Sequence, residues 1–290
     1  MMLSGKIALV TGASQGFGLE VARHFVFNGA HTVICARDQK LLEKRQNELE
    51  AIAKKNVRVL AVPADISIPT QVEKLFNIIN ENFGALDVLV ANAGIYGPQG
   101  KIEDVEWDAW SQAIDINLKG TFLQCRYAIP LLKKRQHAKI IILSGGGATK
   151  PMPYLSAYAA SKAGVVRFAE TLAEELKTVP IDVNSIAPGA LNTRMLDQII
   201  NAGPEKIGND FYQQSLKQKQ SGGTSLTLGA SLCVYLASSE SDGITGKLIS
   251  ALWDPWKKLH QYKAALSETD IYTLRRIIPE DRQKCWSENS

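Results

Sequence analysis

Tyr158 and Lys162 stand four residues apart in the stretch YAASK. They fall at the start of a segment, 157–178, whose apolar residues Val165, Phe168, Leu172 and Leu176 recur at helical spacing. A helix places residues i and i+4 on one face, one turn apart, so the phenol and the ammonium become neighbours. A free phenol ionises near pH ~10, too high for a base near neutrality. A fixed positive charge beside it favours the phenolate and can lower that value by roughly 1–3 units. The pair is therefore a candidate acid/base for interconverting a carbonyl and an alcohol. Taken alone, such a pair is more often a surface contact, so its weight depends on its company. That company includes TGASQGFG at residues 11–18. Gly12, Gly16 and Gly18 follow the strand-like run KIALVT and open an apolar helical segment, and Ser14, Gln15 and Phe17 complete the turn. Glycines there let the backbone turn tightly and approach a diphosphate, while the helix N-terminus turns unpaired N–H groups toward negative charge. The alternative for the loop is an ordinary strand-to-helix turn.

The elements that must position these groups alternate along the chain. Short, β-rich apolar runs occur at 6–11, 31–36, 57–62, 86–91, 139–144, 181–187 and 246–252. Between them lie helical patterns over 16–29, 39–54, 69–83, part of 104–135, 157–178, around 192–218 and around 225–238. In the third of these, Val72, Leu75, Phe76, Ile79 and Phe83 share a face. The strands are mostly apolar rather than alternating, which suits a parallel sheet covered on both sides. The pattern predicts an α/β fold, a doubly wound parallel sheet of Rossmann-like type. It forms a single domain over 1–252. Residues 253–290 differ in character, holding Trp253, Trp256 and Trp286 of the five tryptophans, with Tyr262 and Tyr272. They read as an aromatic-rich C-terminal extension packed on the domain.

Composition narrows the class. The chain has 290 residues and a formal net charge of +4, with no basic block interleaved with aromatics, so a nucleic-acid partner is not expected. No run approaches the ~18–20 apolar residues of a membrane span. The opening MMLSGKIALVTG lacks a signal-peptide pattern, and a cytoplasmic location is expected. Cys35, Cys125, Cys233 and Cys285, and the four histidines, are scattered without metal-ligand spacing, so no metal is expected.

Further motifs follow in order: Asp65 in ADI, Asn92-Ala93-Gly94 at the end of the fourth strand, Asn117 in DINLKGTF, Pro188-Gly189 after the sixth strand, and Thr193 in PGALNT. Together with TGxxxGxG and YAASK, they make residues 4–252 resemble the short-chain dehydrogenase/reductase family, in its single-domain branch. The resemblance implies an NAD(P)-dependent oxidoreductase in which hydride transfer joins a carbonyl and a secondary alcohol. Tyr158 is then the acid/base. Lys162 also holds the nicotinamide ribose, and Asn117 bends its helix and supports a proton-relay water. Asp65 and the Ile66 backbone are implied adenine contacts. Asn92, Ala93 and Gly94 line the cofactor, and Pro188, Gly189 and Thr193 surround its nicotinamide end.

NADP(H) is favoured over NAD(H). Ala36 stands where NAD-preferring members carry Asp, and Arg37 follows with a guanidinium suited to a 2′-phosphate. Gln15, where a second basic residue is common, and the adjacent Asp38 weigh the other way. The family's catalytic serine would fall at Gly145. Ser144 precedes it, and the run Gly145-Gly146-Gly147 is permissive, so Ser144 is expected to reach the site by a one-residue shift. The alternatives are a purely structural Ser144 with no serine donor, or donation by Ser156. The implied partner is a small carbonyl or alcohol, met by a largely apolar wall from 94–104, 145–157 and 190–225, with 194–222 as a lid. A sugar, 3-oxoacyl, steroid-like or xenobiotic carbonyl all remain open. A homodimer or homotetramer is implied, through helices beginning near residues 104 and 157. The extension is expected over the cleft or a subunit interface. A second reading keeps the fold and makes the chain a catalytically silent NADP-binding protein.

Overall fold

Seven apolar runs pair into one fully parallel sheet in the computed structural model, which describes residues 1–286. In chain order the elements are β1 (Ile7–Thr11), α1 (Gly16–Phe27), β2 (His31–Ala36), α2 (Gln39–Ile52), β3 (Val59–Pro63), α3 (Pro69–Phe83), β4 (Val88–Ala91), α4 (Trp107–Ile114), α5 (Gly120–Leu132), β5 (Ala138–Leu143), α6 (Ser156–Glu175), β6 (Ile181–Ala187), α7 (Arg194–Ala202), α8 (Pro204–Ile207), α9 (Asn209–Ser221), α10 (Leu226–Ala237), β7 (Lys247–Ser250) and α11 (Lys263–Glu268). The strand order is β3-β2-β1-β4-β5-β6-β7. It reverses direction between β1 and β4, and ligands of such sheets bind outside the carboxyl ends of the strands at that switch point.

Both faces of the sheet are covered. Along β1, Ala8 and Val10 join the core beneath α1 and α10, while Ile7 and Leu9 join the core beneath α3, α5 and α6. The two-residue period of a strand thus feeds two apolar layers at once. On α3 the expected face is buried through Val72, Leu75, Phe76 and Ile79, and its end is a left-handed Gly84 at φ 74°. Cys35, Cys125 and Cys233 are buried in these layers, and burial pushes the first two thiols up to about 12. Among the described residues, no helix is long and apolar enough to cross a membrane.

Two segments depart from simple helices. The long helix expected within 104–135 is interrupted between α4 and α5 by a π-type turn at Asp115–Lys119 that contains Asn117. The region around 192–218 is three helices, with left-handed glycines Gly203 (φ 79°) and Gly208 (φ 78°) at the junctions.

Residues 253–286 lie along α10, β7 and α6. Trp256 is buried against Tyr235, with ring centroids 5.8 Å apart, and donates from Nε1 to the Ala251 carbonyl at 3.1 Å. Leu259 and Leu266 join the same core. Further along, the Tyr272 carbonyl accepts from Leu248 N of β7 at 2.7 Å, and Thr269 O accepts from Lys247 Nζ at 3.0 Å. Leu274 N donates to Glu170 Oε1 of α6 at 2.6 Å, and Arg167 donates to the Leu274 carbonyl. These contacts set the extension on the β7 edge rather than over the cleft. The last four residues of the extension, 287–290, lie outside the described residues.

Candidate active site

The glycine turn closes over the ends of β1 and β4. Gly12 and Gly16 take left-handed φ values of 64° and 58°. A Cβ on Gly12 would lie 2.9 Å from Ala93 Cα, so only glycine lets the two strand ends approach. A Cβ on Gly18 would lie 2.4 Å from Asn92 Nδ2. That amide donates to Thr11 O at 2.7 Å, while Thr11 Oγ1 accepts from Asn92 N at 3.1 Å and Ala93 N at 3.2 Å. Thr11 in turn donates to the fully buried Gln124 of α5 at 2.9 Å. Asn92 and Ala93 therefore hold the turn's shape. The Phe17 side chain is core, packed with Pro188 around Gly229 of α10, which leaves its backbone in the first turn of α1 to face a ligand.

Two arginines reach this turn that sequence reasoning missed. Arg45 of α2 donates from Nε to the Ser14 carbonyl at 3.0 Å. With its amide oxygen turned to the guanidinium, Gln15 accepts from Arg194 at 3.0–3.3 Å. Thr193 also lies against the turn, its methyl 3.6 Å from where a Gly16 Cβ would stand. Gly189, at φ 102°, makes room for the Thr224 side chain, which would lie 2.7 Å from an added Cβ.

At the far end, Arg37, Pro63, Ala64, Asp65, Ile68 and Gln71 line a cavity of about 290 Å³. Arg37 Nη1 stands 3.9 Å from Asp65 Oδ2 and is largely exposed. Asp65 Oδ1 accepts from Ser67 N at 2.9 Å and Ser67 Oγ at 2.6 Å, and the Ile66 side chain is core, against Gly120. Asp38 caps α2, accepting from Leu41 N at 3.0 Å, so its carboxylate is engaged locally. A left-handed glycine turn at a helix N-terminus, with a cavity beyond it flanked by a guanidinium, fits a dinucleotide.

Asn117 sits in the π-type turn, 1% exposed. Its Nδ2 donates to Ile95 O at 2.8 Å and Ser161 Oγ at 2.9 Å, and its Oδ1 accepts from Ile95 N at 2.9 Å. A turn of this kind breaks the helical ladder locally and recurs at functional sites. Gly94 lies beside it, a Cβ there standing 3.1 Å from Asn117 Oδ1 and 3.7 Å from Lys162 Nζ. Asn117, Gly94 and Lys162 thus converge.

Tyr158 and Lys162 share one face of α6 as expected, and Lys162 Nζ lies 5.8 Å from the Tyr158 ring centroid. The electrostatics differ from the simple expectation. Burial pushes the Tyr158 phenol up, and Tyr96 adds to this, while burial pulls Lys162 down to about 8. The ammonium points at the Leu143 carbonyl, 2.6 Å away, and desolvation of both groups outweighs their attraction. The phenol is therefore protonated near neutrality and poised as an acid.

Ser144 directly precedes the position that meets the phenol. Its backbone continues the sheet, donating to Ile186 O at 2.9 Å, and its hydroxyl is buried without a hydrogen-bond partner among the described residues. Gly145 is extended (φ −174°, ψ 175°), and adjacent side chains of an extended chain project to opposite faces. The position that meets the phenol is 145, where an added Cβ would lie 2.2 Å from Tyr158 Oη. Ser156 is engaged elsewhere, its Oγ accepting from Trp110 Nε1 at 3.1 Å.

Around Tyr158 gathers a separate apolar cluster: Leu155, Ile199 and Ile207, with Tyr96, Met152, Met195, Ala202, Phe211 and Tyr212 against it. Members from α7, α8 and α9 lie over the phenol, as a lid would. Tyr154, a bulky residue at φ 66°, sets its ring where a Gly208 Cβ would come within 2.9 Å. Elsewhere, His137, Asp182 and Asp242 offer metal-type ligands. Lys139 Nζ lies among them, 2.7 Å from both Asp182 Oδ2 and Asp242 Oδ1, and its ammonium already takes the cation's position.

The signals for the missed residues were present. Thr121 and Gln124 are polar residues on the face of an apolar helical pattern that also carries Asn117, and both are buried. Ser161 follows Tyr158 by three, on the catalytic face. Nothing local marks Arg45 or Arg194, whose contacts are set by how α2 and α7 pack.

The chain is similar to known proteins over most of its length. The family described as short chain dehydrogenase matches residues 6–203. A 3beta-hydroxysteroid dehydrogenase 1 of Eggerthella lenta is 39% identical over 194 residues, covering 66% of this chain and 72% of that one. A D-beta-hydroxybutyrate dehydrogenase of Rhizobium meliloti is 32% identical over 255 residues, 84% of this chain and 96% of its own. Among solved structures, the L-sorbose reductase of Gluconobacter frateurii, complexed with NADPH and L-sorbose, superposes with a TM-score of 0.77 at 29% identity, over 86% of this chain and 96% of its own. The chain belongs to the short-chain dehydrogenase family and is an NAD(P)-dependent oxidoreductase of small carbonyl or alcohol substrates.

Proposed function

We propose that the protein uses NADP(H) to reduce an uncharged carbonyl compound with an apolar body to a secondary alcohol, and to catalyse the reverse. The observation that carries this reading is a buried, protonated Tyr158 set beside Lys162 inside an aromatic and aliphatic cluster at the carboxyl ends of the strands. Gly12, Ser14, Gln15, Gly16, Phe17 and Gly18 would hold the diphosphate. Arg37, Asp65 and Ile66 would hold the adenosine end, and Asn92, Ala93, Gly94, Pro188, Gly189 and Thr193 the nicotinamide end. The bound nicotinamide supplies or takes up the hydride. In reduction, Tyr158 gives its phenolic proton to the carbonyl oxygen as that oxygen gains charge, and the O–H bond of the phenol becomes that of the alcohol. Lys162 steadies the resulting phenolate, and Asn117 holds the adjoining loop through both of its amide atoms. The cluster excludes water from this transfer.

The preference for NADP(H) rests on Arg37 at the adenosine cavity and on Asp38 being occupied as a helix cap. The NADPH-bound sorbose reductase supports it, as the hydroxysteroid dehydrogenase supports an apolar alicyclic substrate. Exposed aromatics on α4 and α5, Trp107 and Phe122, support a homodimer or homotetramer through these helices.

The test is turnover of cyclohexanone, acetophenone and a 3-ketosteroid, followed by NADPH absorbance, with dissociation constants for NADPH and NADH. Reduction of at least one, tighter NADPH binding, and loss of turnover in Tyr158→Phe are expected. Tight NADPH binding with no turnover of these or of a ketose or a 3-oxoacyl thioester would favour the silent reading. Tighter NADH binding would overturn the cofactor assignment.

A further inference from the structure

Reducing a carbonyl builds negative charge on one oxygen, and donors aimed at that oxygen are worth most in a buried site. Tyr158 is one such donor. Its neighbours offer few others. Position 145, nearest the phenol oxygen, is a glycine and presents no hydroxyl. Ser144, one residue earlier, is held in the strand ladder by its N–H to Ile186 O, Ser156 is tied to Trp110, and Lys162 is committed to the Leu143 carbonyl. Met152, Leu155 and Ile199 donate nothing.

The phenol that packs directly on Tyr158 is Tyr96, in the loop that follows β4. Its ring packs on that of Tyr158, with centroids 4.6 Å apart and planes at 58°. Neither hydroxyl has a hydrogen-bond partner among the described residues. Two phenols side by side, both unpaired and both in the apolar cluster, are free to turn toward a shared acceptor. Burial raises the Tyr96 phenol, so it keeps its proton and can serve only as a donor near neutrality.

We propose that Tyr96 is a second catalytic residue, donating a hydrogen bond to the same substrate oxygen that receives the Tyr158 proton and doing so in place of a side chain at position 145. Tyr96 keeps its own proton throughout. Its bond shortens as charge grows on the oxygen and relaxes when the alcohol forms. The inference rests on the carbonyl-reducing reading above.

The test is Tyr96→Phe, which removes the hydroxyl and keeps the ring, assayed on whichever of cyclohexanone, acetophenone and the 3-ketosteroid the wild type reduces. A fall in kcat on the order of 10²-fold is expected, with the NADPH dissociation constant and the unfolding midpoint unchanged. Tyr96→Leu, which also removes the ring, separates packing from donation. A wild-type kcat in Tyr96→Phe, or a loss confined to KM or to NADPH affinity, overturns the proposal. Full activity in Tyr158→Phe, or a wild type that reduces none of the three, overturns the underlying reading and the proposal with it. Loss in Tyr158→Phe beside full activity in Tyr96→Phe removes only the role of Tyr96.

Discussion

Gly145 sits so close to the phenol that adding one methyl group probes the whole arrangement. In Gly145→Ala the new carbon would stand 2.2 Å from Tyr158 Oη and 3.1 Å from its Cζ. Carbon and oxygen atoms rest at about 3.5 Å, so the hydroxyl must retreat by on the order of 1 Å. The ring cannot simply swing aside, because it is held in the cluster against Tyr96. Displacing a reacting group by about 1 Å costs roughly 10²-fold in rate, and the overpacking costs about 1–3 kcal/mol of stability. Gly146→Ala is the matched control, since its methyl would meet only Met152 Sδ at 4.0 Å. The assay is kcat for reduction of the probe ketone, with thermal unfolding of both variants. A kcat down by about two orders of magnitude in the first and unchanged in the second is expected. Wild-type turnover in Gly145→Ala would refute the placement of Tyr158 against this loop.

Other outcomes follow from the same geometry. Lys162 falls from an ordinary 10.5 to about 8 on burial, so the unfolded chain binds more protons than the native state between those values. Stability from this group therefore rises with pH across that window, and the full penalty, on the order of 3 kcal/mol, applies below it. Lys162→Met should abolish turnover yet raise the denaturant midpoint at pH ~7; a lowered midpoint would contradict the desolvation argument. Arg194→Ala should weaken binding of ADP and NADPH alike, by about 5–30-fold for one lost charge-assisted contact. Equal affinity for ADP in the variant would show that the Arg194 contact with Gln15 has no bearing on the diphosphate. Trp256→Ala should cost about 3–5 kcal/mol in urea unfolding, with kcat unchanged in the folded fraction. A stability loss under about 1 kcal/mol would show that the extension is not packed as described.

Much of this was legible because local and global signals agree. The seven apolar runs and the TGASQGFG turn predict a doubly wound sheet, and both sit where expected. Tyr158, Lys162 and Asn117 converge because a helical period and a strand-end loop leave little choice. The register of Ser144 was not legible in the sequence, for a physical reason. A glycine run permits a shift, but the ladder bond from Ser144 N to Ile186 O holds the register. The sign of the Tyr158 shift was also out of reach, since burial of both partners depends on the lid helices and not on the four-residue spacing. Arg45, Arg194 and the stacking of Tyr96 on Tyr158 arise between segments far apart in the chain, where no periodicity speaks.

One consequence concerns how copies of this chain can meet. A terminal strand of a parallel sheet normally offers a row of unpaired backbone groups to any strand that comes alongside. Here Leu248 N of β7 is already satisfied by Tyr272 O, and the Lys247 ammonium is drawn onto Thr269 O. The chain's own tail has sealed that border. A strand arriving from another chain would have to displace these contacts before pairing with β7. The exposed Trp107 and Phe122 lie on helices, away from this border.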